Sequence, residues 1–256
     1  MAELAAEGRK PEILFWVGCA GSFDDRAQRV TVAFARLLQQ AGVDFAILGT
    51  EESCTGDPAR RAGNEFLFQM LAQQNVAVLN MYEVRKIVTA CPHCFNTLKN
   101  EYPELGGHYE VVHHTQFLQE LLSTGRIRMA GGSFKGKKIT YHDSCYLGRV
   151  NGVYEAPRSL LESLDADLAE MKRCRSKGLC CGAGGAQMWK EEESGSKRIN
   201  LERTEEALAT GADIIAVNCP FCMTMMSDGV KAKEQQERVM VYDLAELILN
   251  NSVQGS

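Results

Sequence analysis

Eight of the ten cysteines in this 256-residue chain form two sets of four with nearly the same spacing. Cys145 and Cys180 follow Cys19 and Cys54 by 126 residues each, and "CPFC" (219–222) follows "CPHC" (91–94) by 128. A fold for this chain has to position two equivalent sets of thiols. The spacing therefore predicts a duplicated architecture.

The stretch between the two sets of cysteines is rich in glycine and basic residues, over residues 123–138. This composition is typical of a connection between units. We predict a first cysteine-rich repeat over residues 1–130 and a second over residues 131–256. A short apolar run and an amphipathic helix close each repeat, and Thr115 and Asp243 are the predicted N-caps of those two helices.

Short apolar runs alternate with helical patterns in both repeats. "EILFWV", "DFAIL" and "KIVTA" are the predicted strands of the first repeat, and "KITYHD", "DLAEM" and "DIIAVN" those of the second. This βαβ alternation predicts an α/β fold of two Rossmann-like halves with parallel sheets. The cysteine sites then lie at the carboxyl ends of the strands, where open α/β sheets form their sites.

Composition and charge argue against several classes of protein. A net charge of −5 argues against nucleic acid as the main partner. No apolar run approaches the roughly 20 residues that span a bilayer, and acidic residues stand where an export signal is basic. We expect a cytoplasmic protein without a direct membrane span. In a reducing compartment, ten thiols indicate metal or redox chemistry rather than structural disulfides.

The two C-P-x-C motifs fit two different functions. Proline at the first turn of a helix is harmless there, and a helix N-terminus favours a thiolate. Such a pair is either a dithiol that cycles with a disulfide, as in thiol-disulfide oxidoreductases, or two ligands of a metal centre. Thioredoxin-like folds resemble one another in a cis-proline well downstream of the dithiol. No proline follows Pro220, which disfavours that fold.

The second repeat carries five thiols that the predicted fold brings to one edge of the sheet. They are Cys145, Cys180, Cys181, Cys219 and Cys222. A structural zinc ion takes four ligands in a closed tetrahedron, so the fifth thiol is surplus. Iron-sulfur clusters take thiolate ligands, and the glycines of "CCGAGG" let the backbone approach inorganic sulfide.

The pattern C…CCG…CPxC, present twice within residues 12–250, resembles the cysteine-rich CCG-domain proteins. That family includes the B subunit of heterodisulfide reductase, the iron-sulfur subunits of glycolate oxidase and anaerobic glycerol-3-phosphate dehydrogenase, and a lactate-utilisation protein. In heterodisulfide reductase each complete motif holds a noncubane [4Fe-4S] cluster on five cysteines. The resemblance implies the same ligand role here for Cys145, Cys180, Cys181, Cys219 and Cys222.

The first repeat departs from the complete motif, because Cys54 aligns with Cys180 but Thr55 aligns with Cys181. Its four remaining thiols are Cys19, Cys54, Cys91 and Cys94. Four thiols suit a cubane [4Fe-4S] cluster, with zinc or a modified noncubane site as alternatives. The resemblance therefore predicts a further cluster in this repeat without specifying its type.

The resemblance implies an iron-sulfur electron-transfer subunit of an oxidoreductase. A ferredoxin-like or flavin-containing partner is expected, since the chain has no C-x-x-C-x-x-C run of its own. A small disulfide or an organic-acid-derived compound is the expected substrate. The alternative from another class is a non-catalytic module with structural zinc that scaffolds a complex.

Several further residues have two interpretations. Cys174 is either a neighbour of the cluster or an ordinary packed thiol. His142 and Asp143 precede Cys145 closely and are candidates to donate hydrogen bonds to a cluster or relay protons. The charged stretch over residues 190–198 predicts a surface turn and the start of a helix.

Overall fold

The computed structural model describes residues 1–191 and 194–253 and contains two parallel four-stranded sheets, one for each set of cysteines. Two residues of the predicted charged turn, 192 and 193, lie outside the described residues. The first sheet consists of β1 (Ile13–Trp16), β2 (Phe45–Ala46), β3 (Lys86–Thr89) and β4 (Glu110–His113). The second consists of β5 (Lys138–Tyr141), β6 (Asp167–Leu168), β7 (Ile214–Val217) and β8 (Met240–Asp243).

The two sheets have the same topology, with strand orders β2-β1-β3-β4 and β6-β5-β7-β8. In each sheet the chain leaves one central strand, adds a neighbour on one side and then crosses to the other side. This reversal is a switch point, where a crevice opens beyond the carboxyl ends of the adjacent strands. Cys19 and Cys91 follow the two strands at the first switch point, and Cys145 and Cys219 those at the second.

Helices connect the strands. The first repeat has α1 (Ala2–Ala6), α2 (Gly18–Phe23), α3 (Asp25–Gln40), α4 (Asp57–Arg61), α5 (Glu65–Met81), α6 (Pro92–Asn96) and α7 (His114–Ser123). The second has α8 (Glu155–Glu162), α9 (Ile199–Leu208), α10 (Pro220–Ala232) and α11 (Leu244–Asn251). Every residue of β1 and β7 is buried, as expected for parallel strands covered on both faces. The predicted α/β class with parallel sheets in two similar halves is confirmed.

Helix α3 shows how the sequence pattern sets the packing. Asp24 caps it, because its carboxylate accepts a hydrogen bond from the amide of Ala27 at 2.7 Å. The apolar face of this helix is buried, including Phe34, Leu37 and Leu38. Each such side chain contributes about 1.5–3 kcal/mol when it is fully buried. The helix is therefore anchored by its cap and by one apolar stripe.

The helices that close the two repeats begin with different caps. Asp243 caps α11 as predicted, but the prediction of Thr115 as the cap of α7 was wrong. His113 is the N-cap there, and Thr115 lies inside the helix, where its hydroxyl contacts His113 Nδ1 at 2.8 Å. The physical reason is register: β4 ends at His113 and β8 at Asp243, so the offset between the repeats has grown to 130 residues at this point.

The two repeats pack together through equivalent helices. The closing helix of each repeat contacts the other repeat, α11 against α3 and α7 against α8. Arg26 forms an ion pair with Glu246 across this interface, with Nη2–Oε2 at 2.6 Å. His114 Nε2 lies 2.9 Å from the Asp243 carboxylate, and both side chains are buried. This packing implies an approximate twofold relation between the halves.

Candidate metal centres

The first set of thiols comes from three separate segments. Cys19 lies in α2, Cys54 in the loop before α4, and Cys91 and Cys94 flank Pro92 at the start of α6. A hydrogen bond between Cys19 and Cys54 raises the pKa of Cys19 and lowers that of Cys54 to about 6. A hydrogen bond to Cys91 raises the pKa of Cys94, which also senses the charges of the other two thiols. The structure thus brings all four thiols together.

The loop that carries Cys54 is held by buried polar groups. The Asn75 side-chain amide donates to the Cys54 carbonyl at 3.0 Å, and its oxygen accepts from the Ser53 amide at 3.2 Å. The Tyr102 hydroxyl donates to the Thr55 carbonyl at 3.2 Å. Gly56 has a φ of +87°, and its amide donates to Cys54 Sγ at 3.4 Å. This turn requires glycine and directs a backbone donor at the sulfur.

The second set contains five thiols that lie close together. The Sγ atoms of Cys145 and Cys180 are 4.0 Å apart, and those of Cys181 and Cys222 are 3.4 Å apart. Hydrogen bonds from Cys145 and Cys181 lower the pKa of Cys180. Burial opposes ionisation of Cys219, but hydrogen bonds from Cys222 and His93 lower its pKa to about 5. Thiolates are therefore stabilised in a largely buried site.

The two sites correspond residue by residue. Cys181 Sγ contacts Cys222 Sγ at 3.4 Å, and in the first repeat Thr55 Oγ1 contacts Cys94 Sγ at 3.9 Å. Gly182, with φ of +92°, donates its amide to Cys180 Sγ just as Gly56 does to Cys54. The first site thus has a hydroxyl where the second has its fifth thiol.

One imidazole from the first repeat reaches the second site. His93, the third residue of "CPHC", is held by Asp57, with Nδ1–Oδ2 at 3.0 Å. Its ring stacks on Tyr146 at a centroid distance of 4.1 Å and hydrogen-bonds with Cys219. Although burial disfavours its charged form, Asp57 and Cys219 raise the pKa of His93. The two thiol sites are therefore neighbours, separated by this side chain.

His142 and Asp143, which closely precede Cys145, have different roles. His142 is buried, and one of its ring nitrogens lies within 4.8 Å of the sulfurs of Cys181 and Cys222. Burial, with the nearby Arg203 charge, lowers the pKa of His142 to about 3, so the ring is neutral. Asp143 has a structural role instead, because its carboxylate binds the Arg158 guanidinium at 2.9 and 3.0 Å.

The tenth cysteine, Cys174, has a separate environment. Burial and the charges of Glu170 and Asp143 raise its pKa. The basic residues beside it are paired, since Arg173 contacts Glu206 at 3.0 Å and Arg175 contacts Glu155. These contacts favour the interpretation of Cys174 as a packed thiol in a charged loop.

Three side chains near the sites were not predicted from the sequence. Asp57 and His93 lie close to cysteines in the sequence. This proximity could have identified both residues as candidates for a role at the sites. Glu52 accepts hydrogen bonds from the Gly18 amide at 2.5 Å and the Val17 amide at 3.1 Å, and burial raises its pKa to about 7. It ties the Cys54 loop to the start of α2.

The fold and the thiol sites define a class of protein: tandem parallel α/β repeats that each gather cysteines at the switch point of the sheet. Residues 13–99 and 139–227 each match the cysteine-rich domain CCG. The chain belongs to the cysteine-rich CCG domain family.

Relatives with curated names agree with this family. The probable iron-sulfur-binding oxidoreductase FadF of Bacillus subtilis is 51% identical over 99% of this chain and 36% of its own length. The EtfAB:quinone oxidoreductase of Syntrophomonas wolfei is 49% identical over 96% of this chain and 35% of its own length. One polypeptide of the dihydromethanophenazine:CoB--CoM heterodisulfide reductase of Methanosarcina barkeri is 35% identical, over 93% of this chain and 58% of its own length.

The chain is thus related to iron-sulfur oxidoreductases, and it spans about a third of the length of the first two relatives. Among the helices of the described residues, none has the length and apolar character needed to cross a membrane.

Proposed function

We propose that this chain is an iron-sulfur electron-transfer module of an oxidoreductase. The observation that carries the proposal is the convergence of five thiols in the second repeat, including the 3.4 Å pair of Cys181 and Cys222. A single zinc ion uses four such ligands. A cluster of several irons accommodates a fifth, and adjacent cysteines then bind neighbouring irons.

The proposed cofactors are two clusters. A noncubane [4Fe-4S] cluster is assigned to Cys145, Cys180, Cys181, Cys219 and Cys222, and a further [4Fe-4S] cluster to Cys19, Cys54, Cys91 and Cys94. The donor chemistry fits such groups, since glycine amides already donate to Cys54 and Cys180 and the sites are thiol-rich and largely buried. When bound, the clusters supply one-electron transfer.

The side chains around the sites have supporting roles. His93 lies between them and donates toward Cys219, while Asp57 fixes the ring orientation. Met223 and Met226 are buried on α10 and keep water from the second site. This arrangement favours electron exchange between two adjacent sites that the same chain encloses.

The partner and the substrate are proposed by class. We assign an electron-transfer protein, either ferredoxin-like or a flavoprotein, as the partner, and a small disulfide or organic-acid-derived compound as the substrate. The names of the relatives support a redox reaction with separate partners, because one of them is an oxidoreductase of EtfAB and quinone. A cytoplasmic location is proposed on the ground that free thiols persist in a reducing compartment.

Metal analysis of anaerobically purified protein tests the proposal. We expect about eight iron and eight acid-labile sulfide per chain, as two [4Fe-4S] clusters require, with little zinc. EPR of the same sample is expected to show two distinguishable signals after partial reduction. Zinc without sulfide would contradict the redox function and leave the structural-metal alternative. Dithiol activity that survives removal of all metal would instead support a thiol-disulfide oxidoreductase.

Replacing His93 with phenylalanine is expected to shift the midpoint potential of the second site to a lower value. The substitution turns "CPHC" into the "CPFC" of the second repeat and keeps an aromatic ring against Tyr146. It removes the hydrogen bond to Cys219, and such bonds to ligand sulfur raise cluster potentials. EPR-monitored redox titration measures the shift.

The matched control for this variant is His108→Phe, at an exposed histidine of the same repeat. It is expected to leave both potentials unchanged. Equal potentials in His93→Phe and the wild type would show that His93 does not influence the second site.

A further inference from the structure

His142 has the appearance of a metal ligand. It lies three residues before Cys145, just after β5, and is only 1% exposed. A ring nitrogen and the sulfurs of Cys181 and Cys222 lie within 4.8 Å of one another. A histidine and two cysteines at this separation resemble part of a zinc or iron site. Its hydrogen bonds, however, determine which nitrogen is available.

Arg203 decides the protonation pattern of the ring. Its Nε donates to His142 Nδ1 at 2.9 Å. A guanidinium group has only donors, so Nδ1 must be the accepting, unprotonated nitrogen. A neutral imidazole carries one proton, which is therefore on Nε2. A nitrogen that bears a proton has no lone pair for a metal ion.

The position of Arg203 is itself fixed by other contacts. The side chain is fully buried on α9, and its Nη1 donates to the Arg173 carbonyl at 2.8 Å and to Glu206 at 3.0 Å. Because these two groups hold the guanidinium, its Nε–H stays directed at His142. The tautomer is thus a property of the fold rather than of solvent conditions.

The protonated Nε2 is buried and makes no hydrogen bond among residues 1–191 and 194–253. A buried N–H without an acceptor is unfavourable, and a ring nitrogen of His142 lies within 4.8 Å of the sulfurs of Cys181 and Cys222. We propose that His142 is not a ligand but a hydrogen-bond donor, through Nε2–H, to the sulfur atoms of the second site. The proposal deepens and rests on the proposed function.

The first repeat supplies an independent argument. Trp16 occupies the equivalent position, three residues before Cys19. Its side chain is buried, and its Nε1–H also has no acceptor within the described part of the chain. An indole nitrogen only donates and never binds a metal ion as a neutral ligand. Among the described residues, both repeats therefore have a buried ring N–H without a hydrogen-bond partner three residues before their first cysteine.

Two substitutions of His142 test the proposal. His142→Phe removes the N–H and retains a ring, and His142→Gln retains a side-chain N–H donor. We expect both variants to keep the iron and sulfide content of the wild type. The phenylalanine variant is expected to lower the midpoint potential of the second site, and the glutamine variant to restore part of the difference. Potential is measured by EPR-monitored titration.

Each other outcome overturns the proposal. Loss of iron together with a changed EPR signal in both variants would make His142 a ligand. An unchanged potential in His142→Phe would reduce its role to packing.

A failure of the proposed function is distinguishable from these outcomes. If the wild type holds zinc and no sulfide, ¹⁵N NMR of histidine-labelled zinc protein reports which His142 nitrogen carries the proton. A proton on Nε2 supports the donor assignment toward the zinc thiolates. A proton on Nδ1, or Nε2 bound to zinc, contradicts it.

Discussion

Replacing Cys181 with threonine is expected to abolish the distinctive EPR signal of the second site, which is the signal of the proposed noncubane cluster. Threonine is the residue that the first repeat has at this position, Thr55. The change removes the thiol that lies 3.4 Å from Cys222 and leaves four, which suit a cubane cluster rather than a five-thiolate site. We expect the first cluster to persist, so the iron content per chain falls by no more than the iron of the second cluster.

The reciprocal substitution, Thr55→Cys, is the matched control. It adds a fifth thiol beside Cys94, which the threonine hydroxyl contacts at 3.9 Å. We expect it to leave the second-site signal intact and to alter only the signal of the first site. Survival of the distinctive signal in Cys181→Thr would show that the fifth thiol does not set the cluster type.

Replacing Asp243 with alanine is expected to destabilise the protein by about 3 kcal/mol. The carboxylate accepts from the Ala245 amide at 2.8 Å and pairs with His114 at 2.9 Å, at the interface between the repeats. Losing the helix cap costs about 1 kcal/mol. Leaving the buried His114 nitrogen without a partner costs about 1–3 kcal/mol more. Anaerobic urea unfolding of the cluster-loaded protein measures the change.

Asp243→Ser separates the two contributions. Serine is also a good N-cap, so this variant keeps the cap of α11 and loses only the contact with His114. It is expected to lie between the wild type and the alanine variant in its unfolding midpoint. A stability of Asp243→Ala equal to that of the wild type would show that the interface does not depend on this pair.

Local sequence patterns and the cysteine spacing together predicted much of the architecture. Short apolar strands and amphipathic helices are local patterns, so the parallel sheets and the buried face of α3 could be predicted from neighbouring residues alone. Convergence of the thiols was predicted on the same basis, because the carboxyl ends of parallel strands lie at a shared edge. The alignment of Thr55 with Cys181 indicated that the first repeat has a hydroxyl in place of one thiol. The division at residues 130 and 131 stays a prediction.

The cap of α7 shows where local pattern was insufficient. Thr115 and His113 are both near the end of an apolar run, and threonine is the better cap by propensity. The pairing of His113 with Thr89 in the sheet decided where the strand ends and the helix begins. Propensity differences of about 1 kcal/mol are overridden when strand pairing sets the register.

The sequence by itself determined the duplication, the class of fold, and which thiols are shared by both repeats. Only the tertiary structure decided that His93 of one repeat reaches Cys219 of the other, and that Arg203 places the His142 proton on Nε2. Those partners are far apart in the chain, 126 and 61 residues respectively. The spacing of residues predicts which side chains lie on one face of a strand or helix. It does not predict which distant side chain contacts that face, because the packing of whole elements determines the contact.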